Sequence, residues 1–201
     1  MKGLKQVVWG LVVAVGVVSG CAVQSPSAPS ASDKQACAPS DNMLLNPDFA
    51  LYDAEQQKMI WQQVQHARKS FELTVTDGVA HIEQIANEPW YILRQTVQDP
   101  RLPGATVRFS VDTRANLIAE PPVHGWEHKG GIYYAAARGK RSYASSAAEQ
   151  TPNVGEWDWQ EMSATWTVPE DATGVIVGIY HQADGWIEAK NPSLTIVSCP
   201  E

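Results

Sequence analysis

The feature that most constrains this chain is a two-residue alternation that recurs from Phe71 to Cys199. Val107, Phe109 and Val111 alternate with Arg108, Ser110 and Asp112, the period of a strand with one buried face. Phe71, Leu73 and Val75 alternate with Glu72, Thr74 and Thr76. Asp77-Gly78 then separates this run from Val79–Ile85, and a DG pair between two such runs predicts a hairpin. Trp90–Val97, Gly131–Ala137, Trp159–Val168, Gly174–Tyr180 and Leu194–Cys199 are further predicted strands, parted by Pro, Gly, Asn and Asp clusters. Gly174–Tyr180 is apolar on both faces, which predicts a central strand covered on both sides. Many short strands at this spacing imply an all-β sandwich.

One segment follows another period. Ile60, Val64, Ala67 and Phe71 stand at i, i+4, i+7 and i+11, which is helical spacing. Length favours a helix over 54–70; the surrounding β pattern favours a loop and then a strand from Trp61. The second is preferred, and both stay open.

The 201 residues suffice for one domain, and 44% hydrophobic against 18% charged residues implies a folded body. Lys2 and Lys5 are the only charges in the first twenty residues, so the net −7 becomes −9 without them. A body this acidic is a poor partner for nucleic acid, which needs a basic surface.

The start has the form of an export signal. Lys2 and Lys5 precede an uncharged, mostly apolar run, Val7–Val18, short for a membrane span and fitting the apolar core of a secretory signal. Val18-Ser19-Gly20-Cys21 then resembles the lipobox of bacterial lipoproteins. That resemblance implies cleavage after residue 20, lipid on Cys21 and anchorage to the membrane. Ala22 after the cysteine implies the outer membrane. The alternative is an uncleaved anchor with an ordinary thiol at Cys21. Ala22–Ser40 is rich in Ser, Ala and Pro and reads as a flexible tether, roughly 20–25 Å as a coil. The expected organisation is a signal over 1–20, a tether over 21–40 and one β-sandwich over 41–201.

The order of short motifs in that body resembles galactose-binding-like jelly rolls, which include carbohydrate-binding modules of bacterial glycoside hydrolases. Leu44-Leu45-Asn46-Pro47-Asp48-Phe49 resembles the entry motif, with Trp61 as the Trp that follows it. Leu93-Arg94-Gln95-Thr96-Val97, Val107–Val111, Trp166-Thr167-Val168-Pro169 and Asn191-Pro192-Ser193-Leu194 follow in family order. Glu188-Ala189-Lys190-Asn191 departs from the family's late Asp-Asp/Asn, which withdraws support from a structural calcium; no cofactor is expected. The resemblance implies a jelly-roll β-sandwich whose first and last strands lie close together. It therefore implies a Cys37–Cys199 disulfide, which an exported chain permits; the alternative is two free thiols.

Catalytic motifs are sparse. His124-Gly125-Trp126-Glu127-His128 has a metal-like i, i+4 histidine pair, but Pro121-Pro122 and Gly130-Gly131 around it argue against a helix. It reads as a polar surface loop, and no metal site is expected. No G-x-S-x-G elbow occurs, and Gly139-Lys140-Arg141-Ser142 lacks the form of a phosphate loop. Asp158, Glu161, Glu170, Asp171 and Asp184 sit beside turn residues and read as solvating carboxylates.

Aromatic residues point elsewhere, because flat rings stack on the C–H faces of sugars. Trp61 and Trp166 are expected in the core. Trp126 and Trp186, each after a glycine, are expected in loops. Tyr133 and Tyr134 point to opposite faces, so one is exposed, and Arg94 falls on the polar face of its strand. The expected contact group is Trp126, Trp186, Tyr134 and Arg94. The expected function is non-catalytic binding at the cell envelope, with a glycan as the favoured ligand. An envelope-protein docking role is the alternative, and a glycan-active hydrolase a third.

Overall fold

A computed structural model describes residues 37–66, 69–118, 129–139, 141–143 and 154–200. Twelve strands lie in this part of the chain, and no helix occurs among the described residues. They are β1 (Tyr52–Asp53), β2 (Lys58–Met59), β3 (Gln62–Gln65), β4 (Phe71–Thr76), β5 (Val79–Gln84) and β6 (Tyr91–Val97). The rest are β7 (Thr106–Ile118), β8 (Lys129–Arg138), β9 (Arg141–Tyr143), β10 (Gly155–Thr167), β11 (Gly174–Gln182) and β12 (Asp184–Ser198). One five-stranded sheet runs β10-β7-β12-β5-β4, a second runs β3-β6-β11-β8-β9, and β1-β2 form a small ribbon. All pairings are antiparallel, and the architecture is a jelly-roll β-sandwich.

The alternation explains the packing. Val107, Phe109, Val111, Ala115 and Leu117 of β7 are buried, while Arg108, Asp112 and Arg114 face outward. β4 and β5 pair from Phe71↔Gln84 to Thr76↔Val79, closing on a two-residue turn. Asp77 and Gly78 have φ of 51° and 75°, the left-handed pair that such a turn requires. β11 is central in the second sheet and buried along its length except at Tyr180. The segment with helical spacing forms β2 and β3, with Ile60 and Trp61 buried between them. Ala67 lies outside the described residues.

The entry motif folds back on the core. The Phe49 N–H donates to the Asn46 carbonyl at 3.0 Å, the Trp61 Nε1–H donates to the same carbonyl at 2.9 Å, and the two rings lie 4.7 Å apart. Gln95 is 4% exposed. Its Oε1 accepts from the Leu45 N–H at 2.8 Å and its Nε2 donates to the Leu45 carbonyl at 2.9 Å, so one side-chain amide replaces a strand neighbour. Ahead of it, the Met43 N–H donates to the Leu194 carbonyl and the Ser40 N–H to the Ile196 carbonyl, laying the segment beside β12. Cys37 and Cys199 are disulfide-bonded, with Cα atoms 5.6 Å apart across a sequence separation of 162.

Two sequence expectations fail in this fold. Trp186 is in β12, not in a loop. Asp184 and Gly185 already pair with Ile118 and Leu117 of β7, because the chain crosses between sheets at the buried Ala183 just before them. Tyr134 is 3% exposed and packs on Trp166 at 4.6 Å. The two-residue period holds in β8, but Ile132, Tyr134 and Ala136 form its core side and Tyr133 takes the other.

The sandwich buries a histidine. His181 lies 5.0 Å from Phe71, and burial pushes its pKa down to about 3. The backbone of Ala183 and Ile82 opposes this only weakly, since neither ring nitrogen reaches a hydrogen bond of ordinary geometry. The folded state therefore keeps His181 neutral where the unfolded chain binds a proton. Its contribution is complete well above pH 6.5 and is lost as pH falls from there toward 3. Urea unfolding is expected to show stability falling from pH 7 to pH 4, and His181→Gln to make that fall shallower. Separately, Cys37→Ser with Cys199→Ser is expected to lower stability by at most about 5 kcal/mol, the loop-closure term for a ring this long. The shift in urea midpoint measures it.

Candidate functional site

The structure does not bring the expected contact group together. Trp126 lies outside the described residues, as do His124, Glu127 and His128. Tyr134 is in the core, Trp186 is on the outer face of the first sheet, and Arg94 is on the outer face of the second. The two outer faces differ in chemistry.

On the first sheet, Glu188 of β12 lies between His81 of β5 and Arg114 of β7, its register partners. His81 Nδ1 is 3.1 Å from Glu188 Oε1, and Arg114 Nε donates to Oε2. Burial alone would raise the Glu188 pKa, but the hydrogen bonds and charges of Arg114 and His81 together hold it below the ordinary value. A carboxylate engaged on both oxygens and held ionised is poorly suited to donate a proton. The rings nearby are occupied too. Trp186 stacks on His81 at 5.7 Å. Trp159 carries Lys190 Nζ at 4.0 Å and Arg114 Cζ at 5.0 Å from its centroid. A sugar stacking on those covered ring faces must displace the protein's own groups, about 0.5–1 kcal/mol for each exposed cation.

The second sheet presents the opposite case. Register sets its outer face: Arg94 and Tyr133 each lie opposite Gly178, on either side of β11, and Tyr180 lies opposite Gly131. A Cβ on Gly178 would stand 2.0 Å from the Leu93 carbonyl oxygen, so β6 approaches too closely for any side chain. The result is a bare backbone floor between a guanidinium and a phenol ring. Tyr180 donates its hydroxyl to Gln182 Oε1. Burial, with Tyr133 beside it, pushes the Tyr180 phenol well up, so it stays a hydrogen-bond donor. Arg94 Nε is buried without a hydrogen-bond partner. Beyond Tyr133 the face is closed, with Ala135, Ala137 and Ile176 buried in a second apolar cluster. Toward β3 it is open, through half-buried Thr96 and exposed Gln62. Along β6, β11 and β8 the charged side chains of this face are Arg94 and Lys129, and at its β3 edge Glu88 is held by His66 at 2.6 Å.

Sequence reasoning placed Arg94 here and missed Tyr133, Tyr180 and Gln182. The usable signal was Gly178, a glycine in the middle of an otherwise bulky apolar strand.

No family model and no curated protein sequence matches the chain. Solved structures are similar to it. One is the enzymatically active domain of tailspike protein 4 of bacteriophage CBA120, with a TM-score of 0.58 and 12% identity over 78% of this chain and 21% of that one. Another comprises the CBM22-1–GH10 modules of the N-terminal endo-1,4-β-D-xylanase 10B of Clostridium thermocellum, complexed with xylohexaose. There the TM-score is 0.50 and the identity 13%, over 78% of this chain and 27% of that one. A CBM22-1 xylan-binding domain from Paenibacillus barcinonensis gives 0.48 and 11%, over 70% and 87%. The chain thus spans about a fifth of the tailspike domain and about a quarter of the xylanase modules. At these identities the likeness is one of fold.

The buried phenols give a test of this geometry. Tyr91 is raised by burial as Tyr180 is, so both stay protonated beyond the ordinary phenol range near 10. Alkaline absorbance titration is expected to miss two phenols until the fold opens. Tyr91→Phe with Tyr180→Phe should leave the folded-state curve unchanged.

Proposed function

We propose that the chain is a non-catalytic glycan-binding module, held at the cell envelope by lipid on Cys21. The observation that carries the binding reading is the outer face of the second sheet, where Tyr133 and Arg94 flank the bare Gly178 floor beside Tyr180. Phenol rings offer a sugar apolar surface, and the half-buried Arg94 guanidinium offers its hydroxyls a charged donor. The described strands β6, β11 and β8 place no pair of carboxylates on this face, which supports binding over hydrolysis, since that needs two of them about 5–10 Å apart. The glycan-bound xylanase modules, similar in fold, support the same ligand class. The lipobox-like Val18-Ser19-Gly20-Cys21 supports the anchor, and Ala22 supports the outer membrane. Docking to an envelope protein is the second reading. It would use the half-exposed Trp159, Trp186 and Arg114 of the first sheet.

Affinity-gel electrophoresis against xylan, β-glucan, mannan and peptidoglycan tests the binding reading. One polysaccharide is expected to retard the chain, and Arg94→Ala or Tyr133→Ala to weaken retention about tenfold or more, since a hydrogen bond to a charged group is worth about 1.5–3 kcal/mol. Trp186→Ala should leave it unchanged. Retention lost with Trp186 and kept without Arg94 would move the site to the first sheet. Intact mass after detergent extraction tests the anchor: a full-length mass without acyl chains would refute it.

A further inference from the structure

We propose that the groove beside the β1–β2 ribbon is an extension subsite that carries a linear glycan chain off the tyrosine face, so that this protein selects for chain length. The inference rests on the glycan reading above and adds to it a path and a size.

The path follows from register. Thr96 is two residues beyond Arg94 on β6 and on the same outer face, and Gln62 is the direct partner of Arg94 on β3. Both residues also line a groove of about 170 Å³ with Leu45, Lys58 and Met59. Thr96, Lys58 and Leu45 in turn line a larger one of about 690 Å³, which ends at Asp99 and Arg101. The tyrosine face and the two grooves thus share walls. Crossing from Tyr133 over Gly178 to Arg94 covers two strand spacings, about 10 Å, and Arg94 to Thr96 adds about 7 Å, before the grooves begin. A ligand filling this path is longer than a disaccharide.

The charge of the larger groove is balanced. Arg101 donates to Asp99 through Nε at 2.9 Å and through Nη2 at 2.7 Å, so this pair is satisfied internally. Asp41 and Lys58 offset each other formally. Within that groove an ionic ligand would meet no surplus of opposite charge, whereas the smaller groove carries Lys58 as its one charged residue. Hydroxyls would meet Gln62, Thr96 and Gln98, whose side chains are not engaged elsewhere among the described residues.

The walls also offer stacking surface. Tyr52 is 58% exposed, Met59 50% and Leu45 45%, and these large apolar side chains gather at one place. Tyr52 lies directly opposite Met59 in the ribbon, so the two share a face, and Met59 and Leu45 line the smaller groove. Three exposed apolar side chains at the mouth of a polar groove suit a ligand with alternating C–H and hydroxyl surfaces.

The test uses the full chain in detergent and the polysaccharide that retards it, hydrolysed into fragments of two to eight sugar units. Affinity is expected to rise about tenfold or more between the shortest and the longest fragments. Tyr52→Ala with Met59→Ser should remove that rise and leave the shortest fragments unaffected, while Tyr52→Phe restores it. An unchanged urea midpoint shows that the variants are folded. Affinity independent of length, or a length dependence untouched by the double variant, overturns the subsite but leaves the tyrosine face standing. Loss of binding to phosphatidylethanolamine–phosphatidylglycerol vesicles with glycan affinity intact also overturns it, making the patch a lipid contact. No retarding polysaccharide, or retention indifferent to Arg94→Ala and Tyr133→Ala, overturns the glycan reading and the subsite with it.

Discussion

The rest of this structure depends on the ladder between β7 and β12. These are two of the longest strands, and they lie side by side in the middle of the first sheet, paired from Thr106–Ser198 to Ile118–Asp184. Because β12 begins at the corner where the chain leaves β11, this ladder also sets how the two sheets meet. It brings Glu188 between His81 and Arg114, and it gives the N-terminal segment an edge to lie along. Each inward side chain of β7 in turn helps to bury a partner on the second sheet, so a slip of one residue would expose the whole core face.

The two outer faces show how one architecture can make opposite surfaces. On the first sheet, Glu188 falls opposite Arg114 and His81 and Lys190 falls opposite Asp112 in register, and the rings among them are held by the protein's own side chains. On the second, glycines fall opposite tyrosines and an arginine. A position without a side chain cannot satisfy its neighbours, so the polar groups around it stay available to something else. The difference lies in what stands across the strand, which no single strand contains.

That is also the limit of what could be read from the chain alone. The hairpin at Asp77-Gly78, the inward side of β7 and the central place of β11 were legible, because each is written in local alternation or turn chemistry. Tyr133 and Tyr134 were not separable. Gly131–Ala137 is apolar throughout, so alternation says that the rings diverge without saying which enters the core; the pairing of Tyr133 with Gly178 decides it. Trp186 was misplaced because Asp184-Gly185 has the composition of a turn, whereas here it continues a ladder immediately after a sheet-to-sheet corner. The role of Gln95 as a surrogate strand for Leu45 was illegible for the same reason, since its partner is fifty residues away.

The join between the two ends of the domain has a mechanical consequence. Cys37 and Cys199 are covalently bound where the N-terminal segment lies along β12. Tension arriving through the residues before Cys37 cannot peel that segment away one hydrogen bond at a time. It is shared at once with the end of β12, which β7 holds as far as Ser198–Thr106. A module loaded from its first residues can in this way resist a pull without a larger core.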